Sequence, residues 1–198
     1  MDLFASSATL SPIPLADGEL YYLERLSLPW EPAEVLARLL AETAWRAESI
    51  TVFGRQHLQP RLTAWHGDRS YTYSGLTLHP EPWTPLLAEI RRAVEGVTGR
   101  EFNSVLLNYY RDGRDSMGMH SDDEPELGPE PAIASVSFGQ VRPFVLRHKR
   151  SGEQLQLPLA SGSLLLMAGK TQHHWVHGIK KSARPLGPRL NLTFRKII

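Results

Sequence analysis

Hydrophobic and polar positions follow two different periods in the two halves of the chain. In the first half, apolar residues recur every three or four positions in two segments, which predicts two amphipathic helices. The first helix begins at Pro32; the second has Thr84 as its N-cap, Pro85 in its first turn and Gly99 at its C-terminal end. Residues 20–26 predict a short strand before the first helix. The apolar faces of the two helices are formed by Val35, Leu36, Leu39 and Leu40, and by Leu86, Leu87, Ile90, Val94 and Val97.

After Gly99 the pattern changes to that of strands. Short β-prone runs follow one another without a helical pattern between them, and Gly, Pro, Asp and Ser separate them. The runs cover residues 103–110, 118–121, 133–138, 144–148, 154–158, 163–167, 174–177 and 189–195. Many short strands in succession are typical of a sandwich or jelly roll. We therefore predict an α+β fold whose β core is braced by the N-terminal helices.

Length, composition and charge limit the alternatives. The 198 residues are enough for one sizeable core, and we predict an N-terminal arm over residues 1–18 and a single domain over residues 19–198. The absence of cysteine excludes disulfides, thiolate metal sites and a cysteine nucleophile. A net charge of +1 gives no general attraction to nucleic acid, so such binding needs local basic patches. No signal peptide or membrane-spanning run is evident, and we expect a cytoplasmic protein, nuclear if its source is a eukaryote.

Two histidines and an aspartate form a candidate metal site. His120 and Asp122 are two positions apart in a predicted strand, so their side chains leave the same face. His177, in a later predicted strand, offers a third ligand. Two histidines and one carboxylate that leave open positions are typical of non-haem Fe(II) oxygenases. A zinc hydrolase uses the same residue types, so the triad alone leaves the metal and the reaction open.

The last predicted strand narrows this choice because it alternates strictly over residues 189–195. Leu190, Leu192 and Phe194 form one face. A polar face is usually solvated, but here it could line the mouth of the sandwich. Its two arginines, with backbones roughly 20 Å apart, would bracket a short dicarboxylate, which the guanidinium fork binds well. Iron with a dicarboxylate site implies 2-oxoglutarate as a co-substrate. The polar face consists of Arg189, Asn191, Thr193 and Arg195.

Together these motifs resemble those of the AlkB family of Fe(II)/2-oxoglutarate-dependent dioxygenases, which are nucleic-acid dealkylases. The resemblance extends from about residue 50 to the end of the chain, and it implies a double-stranded β-helix, or jelly-roll, core. The final strand is the most specific part. The matching segments are residues 52–54, 71–78, 108–110, 120–124, 133–139, 147–149, 174–177 and 188–197.

The resemblance also implies a role for each residue of the site. His120, Asp122 and His177 would bind Fe(II). Arg189, helped by Tyr110, would bind the distal carboxylate of 2-oxoglutarate. Asn108 and Arg195 would hold the end of 2-oxoglutarate that chelates the metal, and Asn191 and Thr193 would support them.

On the substrate side, a base inside a duplex must be flipped out before it can reach a buried metal. By resemblance, Tyr73 would stack on one face of the base and His120 on the other. The rest of the base pocket would be Tyr71, Ser74, Asp123, Glu124 and Arg61, with Asp123 orienting either Arg61 or the base. Val52, Phe53 and Gly54 would form a wedge that fills the gap in the duplex. Phosphate contacts would come from Arg147, His148, Lys149, Lys180, Lys181 and Arg184.

The expected function is oxidative demethylation of N-alkylated DNA bases, such as 1-methyladenine and 3-methylcytosine, by a monomeric enzyme. The methyl group would be hydroxylated and released as formaldehyde while 2-oxoglutarate is decarboxylated. One alternative is the same chemistry on RNA, although the Phe53 wedge favours DNA because it is useful only in a duplex. Another alternative is a non-catalytic nucleic-acid-binding module, against which the intact triad and both arginines argue.

Overall fold

A computed structural model describes residues 9–52, 55–73 and 76–198, with the backbone alone described for residues 50–52, 55, 71–73 and 76–78. The helices are α1 (Pro32–Glu42), α2 (Pro85–Thr98) and the single turn α3 (Thr171–His174). The strands before α2 are β1 (Ser11–Ile13), β2 (Glu19–Leu23), β3 (Ser49–Val52), β4 (Arg55–Leu58), β5 (Leu62–Gly67), β6 (Tyr71–Tyr73) and β7 (Leu76–Leu78). The strands after α2 are β8 (Ser104–Tyr110), β9 (Met117–His120), β10 (Ile133–Gly139), β11 (Arg142–His148), β12 (Gln154–Leu159), β13 (Leu164–Ala168), β14 (Trp175–Ile179) and β15 (Arg189–Arg195).

Two antiparallel sheets pack face to face. The larger has the order β1-β2-β13-β10-β15-β8-β5, and the smaller has the order β12-β11-β14-β9. Their facing sides share one apolar core, in which Leu106 and Met167 of the larger sheet meet Phe144, Leu146 and Trp175 of the smaller. This two-layer, sheet-rich arrangement is consistent with the predicted jelly-roll core.

The other face of the larger sheet is covered by α1 and α2. Val35 of α1 and Ile90 of α2 are fully buried in a core shared with Val136 of β10 and Leu192 of β15. As predicted, α2 is capped by Thr84, whose Oγ1 accepts a hydrogen bond from the N–H of Leu87 at 3.2 Å. Gly99 ends α2 with a φ of 63°, a left-handed conformation that favours glycine. Among the described residues, no helix is both long and apolar enough to cross a membrane.

The sequence pattern located the strands after Gly99 to within a few residues, but it missed those between α1 and α2. The strand β5 completes the larger sheet beside β8, and the hairpins β3–β4 and β6–β7 precede α2. Within the segment predicted as an arm, β1 pairs with β2. The predicted strand over residues 174–177 begins one residue later, because α3 runs to His174.

The central strand β15 is buried on both faces. Leu190, Leu192 and Phe194 pack towards the helices. The alternate polar side chains line a pocket between the two sheets. The sequence-based suggestion that this polar face points inwards is therefore confirmed, and the ordinary interpretation as a solvated face is excluded.

Candidate metal and co-substrate site

The three candidate metal ligands lie together at one end of this pocket. His120 ends β9 and pairs directly with His177 of β14, so the two rings are only 4.5 Å apart. The carboxylate of Asp122 lies 3.9 Å from Nε2 of each ring. The potential ligand atoms all lie within 4.8 Å of one another, close enough to bind a single ion.

The surroundings of the triad favour the protonation states that metal binding requires. Asp122 is fully buried, and Arg195 donates from Nη2 to its Oδ1 at 2.8 Å. Burial alone would raise the pKa of Asp122, but the charges of Arg195, His120 and His177 outweigh it and lower the pKa to about 2. Burial lowers the pKa of His177 to about 3. An ionised carboxylate and a neutral imidazole are the forms that bind metal.

The polar side chains of β15 and β8 meet across the strand pair. Arg189 lies opposite Tyr110, and Asn191 lies opposite Asn108. Asn191 donates from Nδ2 to Ser135 Oγ at 2.6 Å and accepts from the hydroxyl of Thr193 at 2.8 Å. All the residues predicted to bind 2-oxoglutarate therefore line or support one pocket.

Arg189 is the clearest sign that this pocket takes an anionic ligand. The residue is 1% exposed. Its guanidinium donates from Nη2 to Ser137 Oγ at 3.0 Å and lies 5.1 Å from the centre of the Tyr110 ring. Its Nε and Nη1 atoms are buried and make no hydrogen bond to any described residue. Burial lowers the pKa of Arg189, but an arginine stays charged at neutral pH. A buried cation with two unused donors fits a carboxylate.

The donor set thus fits both Fe(II) and 2-oxoglutarate. Asp122 and the two histidines supply one face of ligands, and Asp122 Oδ2 is buried without a hydrogen bond to another described residue. Arg189 would bind the far carboxylate of 2-oxoglutarate. A zinc hydrolase would leave the unused donors of Arg189 without a function.

The predicted base pocket and wedge lie only partly within the described residues. Phe53, Gly54 and Ser74 lie outside them. Only the backbone is described for Val52, Tyr71 and Tyr73, so the stacking and wedge roles stay predictions.

The sequence analysis considered a contact between Asp123 and Arg61, but in the structure each of these side chains has a different partner. Arg61 is buried and donates from Nε to Asn108 Oδ1 at 2.7 Å. Asp123 is exposed and lies 3.5 Å from Lys149 Nζ, rather than beside Arg61. Glu124 is half-buried and directly precedes the 3-10 turn Pro125–Leu127. Arg61 therefore contacts the predicted 2-oxoglutarate shell.

The predicted phosphate contacts divide into exposed and anchored side chains. Arg147 is exposed on β11, and Lys180, Lys181 and Arg184 are exposed in the loop between β14 and β15. Lys149 is tied down, because its Nζ donates to the backbone oxygen of Gln172 at 2.9 Å.

His148 is a correction to the prediction, because it is 4% exposed and cannot reach a phosphate as it stands. Its Nδ1 accepts from the backbone N–H groups of Arg150 and Ser151, which places the proton of the neutral ring on Nε2. That nitrogen lies 3.3 Å from Asp17 Oδ2. Asp17, His148 and His174 are close enough to suggest a second metal group, but a protonated Nε2 has no lone pair for a metal. His148 instead links the turn after β11 to the segment before β2.

Three polar residues of the site were missed by the sequence analysis. Ser135 and Ser137 of β10 hold Asn191 and Arg189, and Gln172 contacts both Asp122 and His177. The two serines alternate along β10 in the same way as the polar face of β15, and that matched alternation was a usable signal. Gln172 lies in a single turn of helix and had no such signal.

Fold and site together define an oxygenase of the kind that binds iron and 2-oxoglutarate. The sequence profile of the 2OG-Fe(II) oxygenase superfamily matches residues 19–195 of this chain. The solved structure described as "The structure of OsALKBH1" superposes with a TM-score of 0.67 over 94% of this chain and 100% of that one, at 16% identity. At that identity the likeness supports the fold alone.

Curated relatives identify the family within this class. The chain is 52% identical over 159 residues to the human "DNA oxidative demethylase ALKBH2", covering 75% of this chain and 61% of the relative. It is 42% identical over 173 residues to the human "Alpha-ketoglutarate-dependent dioxygenase alkB homolog 3", covering 82% and 60%. The Arabidopsis thaliana "DNA oxidative demethylase ALKBH2" is 38% identical over 217 residues, covering 94% and 69%. The chain therefore belongs to the AlkB family of 2OG-Fe(II) oxygenases, although it spans only about three fifths of the human relatives' length.

Proposed function

We propose that this protein is an Fe(II)- and 2-oxoglutarate-dependent dioxygenase that oxidatively demethylates N-alkylated bases in DNA, such as 1-methyladenine and 3-methylcytosine. The observation that carries the proposal is the common pocket of the metal triad and Arg189, whose two unused donors are buried. The names of the relatives as DNA oxidative demethylases support DNA as the substrate. On this proposal the protein repairs the base directly, without excising it.

The chain's own residues bind and orient, because a methyl C–H bond is too inert for acid–base catalysis. Bound iron, with 2-oxoglutarate and O2, would supply the oxidising chemistry. His120, Asp122 and His177 would hold the metal. Arg189 would hold the distal carboxylate of 2-oxoglutarate, and the apolar core around the pocket would exclude water.

The alkylated base would approach from the side of His120. The side chain of His120 is 18% exposed, whereas those of Asp122 and His177 are 1% and 5% exposed, so the triad is open to solvent at His120. This supports the proposed stacking of the flipped base on the His120 ring. Lys180, Lys181 and Arg184 would contact phosphates from the loop that follows β14, the strand that carries His177.

The two facing sheets would be the walls of a double-stranded β-helix, and α1 and α2 would brace the larger wall. The core that Val35 and Ile90 share with Val136 and Leu192 supports this interpretation.

The test is incubation with Fe(II), 2-oxoglutarate and O2 and an oligonucleotide that contains 1-methyladenine. Single-stranded DNA, duplex DNA and RNA are run in parallel, and methylated bases and formaldehyde are measured. We expect methyl loss from DNA, none with Asp122→Asn, and normal loss with Asp68→Asn, which removes an exposed carboxylate elsewhere. No methyl loss from any substrate, with folded and iron-loaded protein, overturns the proposal. Loss from RNA alone overturns DNA as the substrate.

A further inference from the structure

The one-turn helix α3 contributes a side chain that joins the two segments on which the metal ligands lie. Gln172 is 1% exposed, and its Oε1 accepts a hydrogen bond from the backbone N–H of Asp122 at 2.9 Å. The same oxygen lies 3.2 Å from Nε2 of His177. One amide oxygen thus contacts both a residue of the His120–Asp122 segment and the ring of the third ligand, on β14.

The orientation of this amide follows from its partners. A backbone N–H can only donate, so the group that faces Asp122 must be the oxygen of Gln172 and not its nitrogen. The nitrogen is then directed to Met167, where Nε2 lies 3.6 Å from the sulfur. The amide is therefore fixed by contacts with three separate parts of the chain.

The backbone that carries Gln172 is also held in place. The Thr171 hydroxyl donates to the carbonyl oxygen of Ala168 at 2.7 Å and accepts from the N–H of Glu19 at 2.9 Å. Lys149 donates from Nζ to the carbonyl oxygen of Gln172 at 2.9 Å. Because both its backbone and its amide group are held, the Gln172 side chain keeps a fixed position relative to the groups it contacts.

We propose that Gln172 is a positioning residue that fixes the backbone of Asp122 beside His177 and thereby sets the metal affinity of the site. This inference rests on the proposed metal-dependent function. Arg195 orients the carboxylate of Asp122, and Gln172 holds the backbone of Asp122 through its N–H. A nitrogen of His177 that binds metal carries no proton, so the amide oxygen lies beside that ring without a hydrogen bond to it. Partners of this kind, which hold ligands without binding the metal, typically change metal affinity about 10- to 100-fold when removed.

The test compares variants of the full chain that differ in one acceptor. Gln172→Met keeps the length of the side chain but removes the oxygen, whereas Gln172→Glu keeps an oxygen that can accept from the Asp122 N–H. Gln156→Met makes the same change at an exposed position on β12. Co(II) affinity is measured by competition with a chelator, and the visible spectrum of bound Co(II) reports the geometry of the ligands.

We expect Gln172→Met to raise the Kd for Co(II) by about 10- to 100-fold and to change the spectrum. Gln172→Glu should bind more tightly than Gln172→Met, and Gln156→Met should match the wild type. The urea midpoint of each metal-free variant is measured as well, so that affinities are compared under conditions where every variant is folded.

The inference is overturned if folded Gln172→Met keeps the wild-type affinity and spectrum, or if Gln172→Glu binds no better than Gln172→Met. A role in folding alone would shift the urea midpoint and leave the Co(II) affinity of the folded protein unchanged, which also overturns it. Co(II) binding needs neither 2-oxoglutarate nor nucleic acid. A wild-type protein that binds Co(II) but does not demethylate therefore contradicts the proposed function while the comparison of the variants stands.

Discussion

Arg195 and Asp122 form a buried ion pair across 73 residues of sequence, with Nη2 of Arg195 donating to Oδ1 of Asp122 at 2.8 Å. Both side chains are almost completely buried, at 4% and 1% exposure. The pair connects β15, a central strand of the larger sheet, to the candidate metal ligands beside the smaller sheet. The arginine therefore stabilises the ionised ligand as well as lining the pocket.

Removing the arginine alone should destabilise the metal-free protein strongly. In Arg195→Met, the Asp122 carboxylate stays buried and loses its guanidinium partner. We expect the free energy of unfolding to fall by about 3–5 kcal/mol, measured by urea denaturation. A loss of this size leaves only a small fraction of the variant folded at room temperature, so the variant is measured at low temperature.

A double variant and a surface pair are the controls for this prediction. Asp122→Asn with Arg195→Met leaves no uncompensated charge, and we expect it to be more stable than Arg195→Met alone. Arg38→Met breaks the exposed pair with Glu42 and should change stability by less than about 1 kcal/mol. A double variant no more stable than the single one would contradict the buried-charge explanation.

Arg189 should determine the affinity for 2-oxoglutarate without affecting metal affinity. Arg189→Met removes the two unused donors, and the loss of charge-assisted hydrogen bonds worth about 1.5–3 kcal/mol corresponds to roughly a 10- to 150-fold weaker affinity. Calorimetric titration of the Ni(II)-loaded protein with 2-oxoglutarate measures this. Ser137→Ala, which removes the acceptor of Arg189 Nη2, should have a smaller effect in the same direction.

The measurement also separates a carboxylate site from a structural arginine. Ni(II) affinity should be unchanged in Arg189→Met, because Arg189 contacts none of the three ligands in the described hydrogen bonds. Equal 2-oxoglutarate affinity in the wild type and Arg189→Met would exclude Arg189 as the carboxylate partner.

The site was predictable from the sequence where a strand alternates. Residues 189–195 display their polar and apolar faces directly, and the spacing of His120 and Asp122 places both on one side of the chain. Burial is harder to predict from the sequence. The polar face of β15 is covered by the smaller sheet, and that sheet is formed by strand pairings between residues distant in sequence. The basic run around His148 shows the limit, because a turn that buries the imidazole cannot be distinguished locally from a solvated charge cluster.

Most of the missed strands are short. The strands β3, β4, β6 and β7 have only three or four residues each, so their patterns span too few residues to establish a period. Gln172 was overlooked because its role comes from one hydrogen bond to Asp122, 50 residues earlier, and from a contact with His177. Such a role is a property of the packed structure and not of local sequence.

The ion pair between Arg111 and Asp115 should make the free energy of unfolding depend on pH in the acid range. Burial opposes ionisation of Asp115, but hydrogen bonds from the Arg111 side chain and backbone outweigh it and keep the pKa of Asp115 below its ordinary value of 3.8. Below about pH 4 the unfolded chain takes up the proton more readily than the folded one, so this contribution to stability is present above that range and lost as the pH falls through it.

Asp115→Asn should therefore be less stable than the wild type near neutral pH and lose less stability between about pH 5 and pH 2. Urea denaturation across this range measures the difference. Glu153→Gln removes an exposed carboxylate on the turn before β12 and is the control. Parallel pH profiles for Asp115→Asn and the wild type would show that Asp115 has no part in the acid sensitivity.

Nucleic-acid binding should depend on the exposed basic residues of the loop between β14 and β15. Replacing Lys181 and Arg184 with alanine should weaken binding to duplex DNA at every sequence. It should also reduce the slope of log K against log salt by about 0.9 for each phosphate that the loop no longer neutralises. Fluorescence anisotropy over a range of salt concentrations measures both quantities. The control is Arg92→Ala with Arg100→Ala, which removes the same charge from an exposed position in α2 and from another just after its end. This control should leave the slope unchanged. Equal slopes for the two double variants would assign the effect to net charge instead of to this loop.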